Sequence, residues 1–397
     1  MNKKESPLGY RFAAVASGIK KSGKADLGLI VSDTPANCAG VFTQNQIIAA
    51  PLQVTKPGIA TGKCQAILVN SGNANACTGA AGLQIAEDCI VLVTENLGIA
   101  SGLVAVASTG VIGQPLSMDP FNSSVPELVA RLASQSADDV ADAMMTTDRY
   151  AKVSYATGNV NGHPYRILGL AKGAGMIHPN MATMLGFVMT DASLDSAQLQ
   201  RLLGSAVDKS FNSITVDGDT STNDMVLLLA NGAADNTIIV ADSGDEELFA
   251  AGLQRVLIDL AKMIVRDGEG ATKLAEIKVV GAQDCAQARV VARAVATSSL
   301  VKTAFFGEDA NWGRIIAAVG YAGVEVDPDN IDILFDEVMV AKSGLYAGPQ
   351  VEEPATAVLK KSEFCVTIDL HQGGGYASYY TSDLTYEYVK INADYRS

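Results

Sequence analysis

Short apolar runs rich in valine and isoleucine alternate along this chain with longer stretches whose apolar residues recur at helical spacing, a pattern that predicts an α/β protein. Ala66-Ile-Leu-Val69 reads as a buried strand running into the polar turn Asn70–Asn75, and Leu103–Ala107 as another ending in Ser108-Thr-Gly-Val-Ile-Gly113. Between them Leu83, Ala86, Ile90 and Val93, widened by Ile85, Cys89 and Leu92, predict a helix over 82–96. Residues 126–145 read as one helix carrying Leu128, Leu132, Val140 and Met144. Asn161-Gly162 between two strand-like runs is a hairpin signal, and a strand over 183–189 follows. Leu199, Leu202, Leu203 and Val207 form the stripe of a helix over 193–211. Ser243-Gly-Asp-Glu246 reads as a capping box, opening a helix that stacks Phe249, Leu253, Val256, Leu257, Leu260 and Ile264. The tail from Glu363 to Asp394 reads mostly as strands about a turn at Gly373-Gly374-Gly375, with 384–391 a strand that ties down the C-terminus.

At 397 residues the chain exceeds one typical core, so two domains or two interleaved layers are expected. No Gly/Ser/Pro-rich linker or repeat divides it, which favours interleaving. A composition 48% hydrophobic and 18% charged predicts a well-packed globular protein. The excess of 43 Asp+Glu over 29 Lys+Arg, a net charge of -14, disfavours nucleic acid and anionic membranes as partners, because no basic stripe is available to neutralise phosphates. The six cysteines (Cys38, Cys64, Cys77, Cys89, Cys285, Cys365) lack metal-ligand spacing and read as reduced, buried thiols. No signal peptide or membrane-spanning apolar run is legible, so a cytoplasmic location is expected. The three histidines, His163, His178 and His371, are not spaced for a metal. Asp217–Asp224 suggests calcium ligands but departs from the twelve-residue loop that ends in Glu, so no metal is expected.

The densest chemistry lies in Lys172-Gly-Ala-Gly-Met-Ile-His-Pro-Asn-Met-Ala-Thr-Met-Leu-Gly186. It puts a hydroxyl, Thr183, at the start of an apolar run, just after a small residue and a Pro179-Asn180 turn. No histidine is suitably placed to activate it. Cleavage between Ala182 and Thr183 would give the hydroxyl its own α-amine as base, a known way to activate a weak nucleophile. Other segments dense in Gly, Asn, Thr and Asp follow apolar strands, where α/β proteins bind ligands: 70–79, 108–113, 210–224, 267–273 and 307–314.

With the tail Tyr388–Ser397, these segments resemble in order the signatures of the ornithine acetyltransferase/glutamate N-acetyltransferase family of arginine biosynthesis, over nearly the whole chain. The resemblance implies layered sheets and helices of an N-terminal-nucleophile-like type, and two chains from one precursor, 1–182 and 183–397. It implies that Thr183 is both the self-cleaving residue and the acetyl carrier, with Thr109 and Gly110 as the oxyanion hole. Thr146, Lys172, Glu269, Asn392 and Ser397 would then bind substrate, Glu269 through the ammonium group. The implied reaction moves the acetyl group of N2-acetyl-L-ornithine to L-glutamate by a ping-pong route. It needs no separate cofactor, although acetyl-CoA is an allowed co-substrate, and the implied assembly is two alpha with two beta chains. Arg149-Tyr150-Ala151-Lys152 departs from the family pattern beside Thr146 and puts that pocket wall in question. Two rival readings remain, an N-terminal-nucleophile aminopeptidase or amidohydrolase using the same Thr183, and a non-catalytic amino-acid-binding homologue.

Overall fold

The computed structural model describes residues 6–178 and 184–394. Among them one sheet has eight strands, in the order Val104–Val111, Lys63–Asn73, Leu27–Phe42, Met225–Ala230, Leu185–Thr190, His163–Lys172 and Lys152–Val160, with Tyr10–Val15 paired outside this path to Leu27–Phe42. The central pair explains the unbroken apolar patterns. Every residue of Leu185–Thr190 and Met225–Ala230 is buried. Val226 and Leu228 pack with the helices Ser196–Asp208 and Gly244–Arg266, whereas Leu227 and Leu229 pack on the opposite face with Val140 and Met144 of Ala137–Met144. A strand covered on both faces has no solvent side to mark with polar residues.

The second sheet has seven strands among the described residues, centred on Leu274–Ala282 between Glu363–Asp369 and Gly375–Ser382. The helix Cys285–Thr297 covers it through Val291, Ala292 and Val295. Leu274 and Tyr380 reach from this sheet into the core of Phe249 and Leu260 on Gly244–Arg266, so that helix joins the layers. The sequence reading of a layered α/β fold holds. Segments from either side of 183 share the first sheet, because Leu185–Thr190 pairs with His163–Lys172 and Met225–Ala230 pairs with Leu27–Phe42.

Several elements differ from expectation. The strand Lys63–Asn73 runs through the supposed turn at 70–73, and Val104–Val111 likewise runs through Ser108-Thr109-Gly110. Residues 126–145 hold the end of one helix, Asp119–Arg131, and the whole of a second, Ala137–Met144. Ser136 and Asp139 form a capping box that restarts the chain. At Ser243 only half of the expected box forms: the hydroxyl accepts the Glu246 N–H, but the Glu246 carboxylate accepts from Asp242 N–H and Gln198 instead. The Asn161-Gly162 hairpin is as expected, with both residues at positive φ.

The supposed strand 384–391 belongs to the helix Tyr386–Asp394. No strand pairs with it. Thr385 instead donates its hydroxyl to Gly270 O and accepts from Tyr388 N–H, which caps a helix. Of the cysteines, none of them in a disulfide, Cys38, Cys64 and Cys89 are buried, but Cys77 and Cys285 are exposed and Cys365 half-buried. No helix among the described residues is long and apolar enough to cross a membrane.

Candidate active site

Parallel pairing of Lys63–Asn73 with Val104–Val111 sets Ser71 beside Thr109 and Gly72 beside Gly110. Gly110 has φ +131°, and a Cβ there would lie 2.4 Å from the Gly72 carbonyl carbon, so only glycine fits this close approach. The polar strand ends are tied together: Ser108 Oγ donates to Asn70 Oδ1 at 2.6 Å, and Asn223 Nδ2 donates to Ala74 O and Ser108 O. These bonds hold the Thr109-Gly110 backbone at the rim of a cavity of about 220 Å³.

Six of the residues singled out in the sequence line that cavity: Thr109, Gly110, Thr146, Lys172, Glu269 and Asn392. They come from a strand end, a loop, a second strand end, a glycine loop and the tail helix. Lys172 is 8% exposed, and its ammonium donates to Thr109 Oγ1 at 3.3 Å. Accepting that bond leaves the Thr109 proton available for donation. Burial lowers the Lys172 pKa, opposed by Asp148, Asp224 and Glu269. The Glu269 backbone N–H donates to Ala174 O, and Asn392 Nδ2 donates to Glu269 Oε2 at 2.8 Å. The tail helix therefore reaches the cavity and orients a carboxylate there. Thr183, Ala182, the Pro179-Asn180 turn and Ser397 lie outside the described residues.

The charge network behind the wall was not legible in the sequence. Asp148 accepts from Thr146 N–H at 2.9 Å, Gly173 N–H at 2.7 Å and Lys152 Nζ at 2.7 Å, with Lys172 Nζ 4.0 Å away. Burial alone would raise the Asp148 carboxyl, but Lys172, Lys152 and the N–H bonds hold it well below the usual carboxylate range. Lys152 is fully buried and also donates to Asp267 Oδ2 at 2.5 Å. The Arg149-Tyr150 departure falls outside the cavity wall. Arg149 Nε pairs with Asp267, and the Tyr150 hydroxyl donates to Met263 O, so both strap the 148–152 loop to the end of Gly244–Arg266.

Asp217 is the other carboxylate that sequence reasoning left without a role. It accepts Met176 N–H at 2.6 Å and Ile177 N–H at 2.8 Å. Its bonds therefore anchor the chain just ahead of 179–183. His178 Nδ1 faces Thr215 Oγ1 at 3.3 Å, in keeping with a structural turn. Chemically, the cavity presents a cation for a carboxylate, a carboxylate for an ammonium group, and hydroxyl and N–H donors for an oxyanion.

A model of the ArgJ family matches residues 11–397. The arginine biosynthesis bifunctional protein ArgJ of Syntrophotalea carbinolica is 62% identical over 389 residues, covering 98% of this chain and 99% of that protein. Its counterpart of the same description from Geobacter sulfurreducens is 53% identical, again over 98% of this chain and 99% of that protein. A crystal structure of arginine biosynthesis bifunctional protein argJ from Bacillus halodurans matches with a TM-score of 0.52 and 48% identity, covering 54% of this chain and 100% of that one.

Proposed function

Because the chain belongs to the ArgJ family, an arginine-biosynthesis acetyltransferase family, we propose that it moves the acetyl group of N2-acetyl-L-ornithine to L-glutamate through acetyl-Thr183. In this reading the precursor cuts itself between Ala182 and Thr183, leaving 1–182 and 183–397 as two chains of one body. The freed Thr183 amine then acts as base. The hydroxyl attacks the acetyl carbonyl, Thr109 and Gly110 donate to the oxyanion, and ornithine departs. Glutamate takes the acetyl group from Thr183 in the second half-reaction. Lys172 pairs with the amino-acid carboxylate and Glu269 with its ammonium group, while Thr146, Asn392 and Ser397 complete the clamp. Acetyl-CoA serves as a second donor, no cofactor is held, and the working form is a cytoplasmic assembly of two alpha and two beta chains.

One observation carries this reading: five separate segments converge on a single cavity that offers a cation, a carboxylate and oxyanion donors together. Fixing both charged ends of an amino acid holds its acetyl carbon in register for attack. The proposed cut finds support in size as well, since the solved argJ chain matches 54% of this one along its whole length, and 183–397 is the same fraction. The test is an assay with acetylornithine, acetyl-CoA, glutamate or water offered as donor and acceptor, with products followed by mass. N-acetylglutamate and ornithine should form together. Acetate and ornithine as the only products, whether or not glutamate is present, would replace the transferase with an amidohydrolase.

A further inference from the structure

A second cavity, of about 240 Å³, shares no lining residue with the candidate active site. Lys209, just past the helix Ser196–Asp208, lines it with Ile258 of Gly244–Arg266, Arg289 of Cys285–Thr297, and Tyr376 and Tyr380 of the strand Gly375–Ser382. No Asp or Glu is among its described lining residues, in a chain whose net charge is -14. Acids beside the walls are already engaged: Glu276 accepts the Ser378 hydroxyl at 2.6 Å, Asp284 the Gln287 N–H at 2.8 Å, and Asp208 the Asn212 amide at 2.9 Å. Among the described residues, neither Lys209 nor Arg289 forms an ion pair with a carboxylate. Lys262 Nζ, 4.8 Å from the centroid of the Tyr380 ring, adds a third positive charge against that wall. The candidate active site has the opposite character, with Glu269, Asp217 and Asp219 set against Lys172 as its one cation among the described residues.

Such a lining suits an anion, and an ammonium group would find no carboxylate there to pair with. The Arg289 guanidinium can take one carboxylate through its fork, and the Lys209 ammonium, on another element, a second. Ile258 and the two tyrosine rings offer apolar surface to a short carbon chain between the charges. A volume below the roughly 300–1,000 Å³ of drug-sized ligand sites keeps that chain short. We propose that this cavity is a regulatory site for a small dicarboxylate without an ammonium group, the class to which N-acetyl-L-glutamate belongs. The ligand class is read from the lining, and the regulatory role rests on the acetyl-transfer reading above.

Coupling runs through two paired strands. Ser213 and Tyr380 line the second cavity, and the strands they belong to or enter run parallel, Ile214 beside Tyr380 and Thr215 beside Thr381. Past Thr215 the chain reaches Asp217, which lines the active cavity and holds the Met176 and Ile177 N–H groups. Past Thr381 it reaches the buried Asp383, which accepts Thr272 N–H at 2.9 Å and Lys273 N–H at 3.0 Å and so ties down the loop that carries Glu269. An anion that draws Lys209 and Arg289 together bears on both strands, and through them on Asp217 and Glu269.

The test uses glutarate, a dicarboxylate with neither an ammonium nor an acetyl group, on purified full-length protein at matched ionic strength. Calorimetry should show one saturable site per chain, weakened at least about tenfold in Arg289→Ala and in Lys209→Ala, one charge-assisted hydrogen bond each. Inorganic phosphate, with a single anionic centre, should bind at least about tenfold more weakly than glutarate for the same reason. Without glutarate both variants should transfer acetyl groups at the wild-type rate. Saturating glutarate should shift the wild-type KM for acetylornithine at least about fivefold and leave that of Arg289→Ala unchanged. Absent binding, equal binding in the variants, or phosphate binding as tight as glutarate overturns the inference. A KM shift that persists in Arg289→Ala places glutarate in the active cavity and overturns it too, as does binding that leaves turnover untouched. A chain that binds glutarate through Arg289 but transfers no acetyl group removes the acetyl-transfer reading and the regulatory role with it, whereas an active chain that binds no glutarate removes this inference alone.

Discussion

Asp148 sets the electrostatics of the cleft from behind its wall. Two buried lysines and two backbone N–H groups converge on its carboxylate, which in turn fixes Gly173 and Thr146 at the cavity edge. Asp148→Asn leaves Lys152 short of one of its two carboxylates and should cost about 3–5 kcal/mol of stability, the usual penalty for breaking a buried pair from one side. Its folded pKa lies below the unfolded value of about 3.9, so its contribution is complete above that pH and is lost as pH falls further. Acid denaturation curves should therefore be shallower below about pH 4 for Asp148→Asn than for wild type. Thr109 answers a different question. If its hydroxyl binds the oxyanion, Thr109→Ala should lower kcat by about 10²–10³ with little change in KM. Steady-state kinetics decide it, and a change confined to KM would move Thr109 from the oxyanion to ground-state binding.

Elements were legible where one physical signal dominated. The Leu and Val stripes of 196–208 and 244–266 predicted helices because one face of each is buried. The Asn161-Gly162 turn was legible because few other pairs tolerate two positive φ angles. The tail was misread because Leu384, Tyr386 and Tyr388 alternate with Thr385 and Glu387, while the Thr385 cap that makes a helix depends on Gly270, 115 residues away. The Asp148–Lys152–Asp267 network was missed for the same reason, since its charges meet only in the folded chain. The six cavity residues came from resemblance, as no local pattern links Thr109 to Asn392. The tail helix offers its own test at Gly270, which has φ +70° and leaves 2.5 Å between an added Cβ and Tyr388 N. Gly270→Ala should displace that helix and Asn392, raising KM roughly tenfold, about one lost charge-assisted hydrogen bond, while self-cleavage proceeds at the wild-type rate. Deleting Arg396-Ser397 should likewise harm transfer more than cleavage. Unchanged KM in Gly270→Ala would detach the tail from substrate binding.

At the scale of the molecule, 1–182 and 183–397 are neighbours within one sheet rather than beads on a string. Leu27–Phe42 pairs along Met225–Ala230, so separating the two segments would expose strand edges and the core on both faces. After cleavage the fragments should co-elute on gel filtration in native buffer and part only in denaturant. Fragments that separate without denaturant would be incompatible with this interleaving. The central claim, that Thr183 carries the acetyl group, is tested most directly by intact mass spectrometry of the purified protein after acetylornithine is added without glutamate. The account predicts two fragments, the larger beginning Thr-Met-Leu-Gly and gaining one acetyl group that glutamate then removes. A chain that turns over while uncut, or a 183–397 fragment that stays unmodified while N-acetylglutamate accumulates, would contradict it.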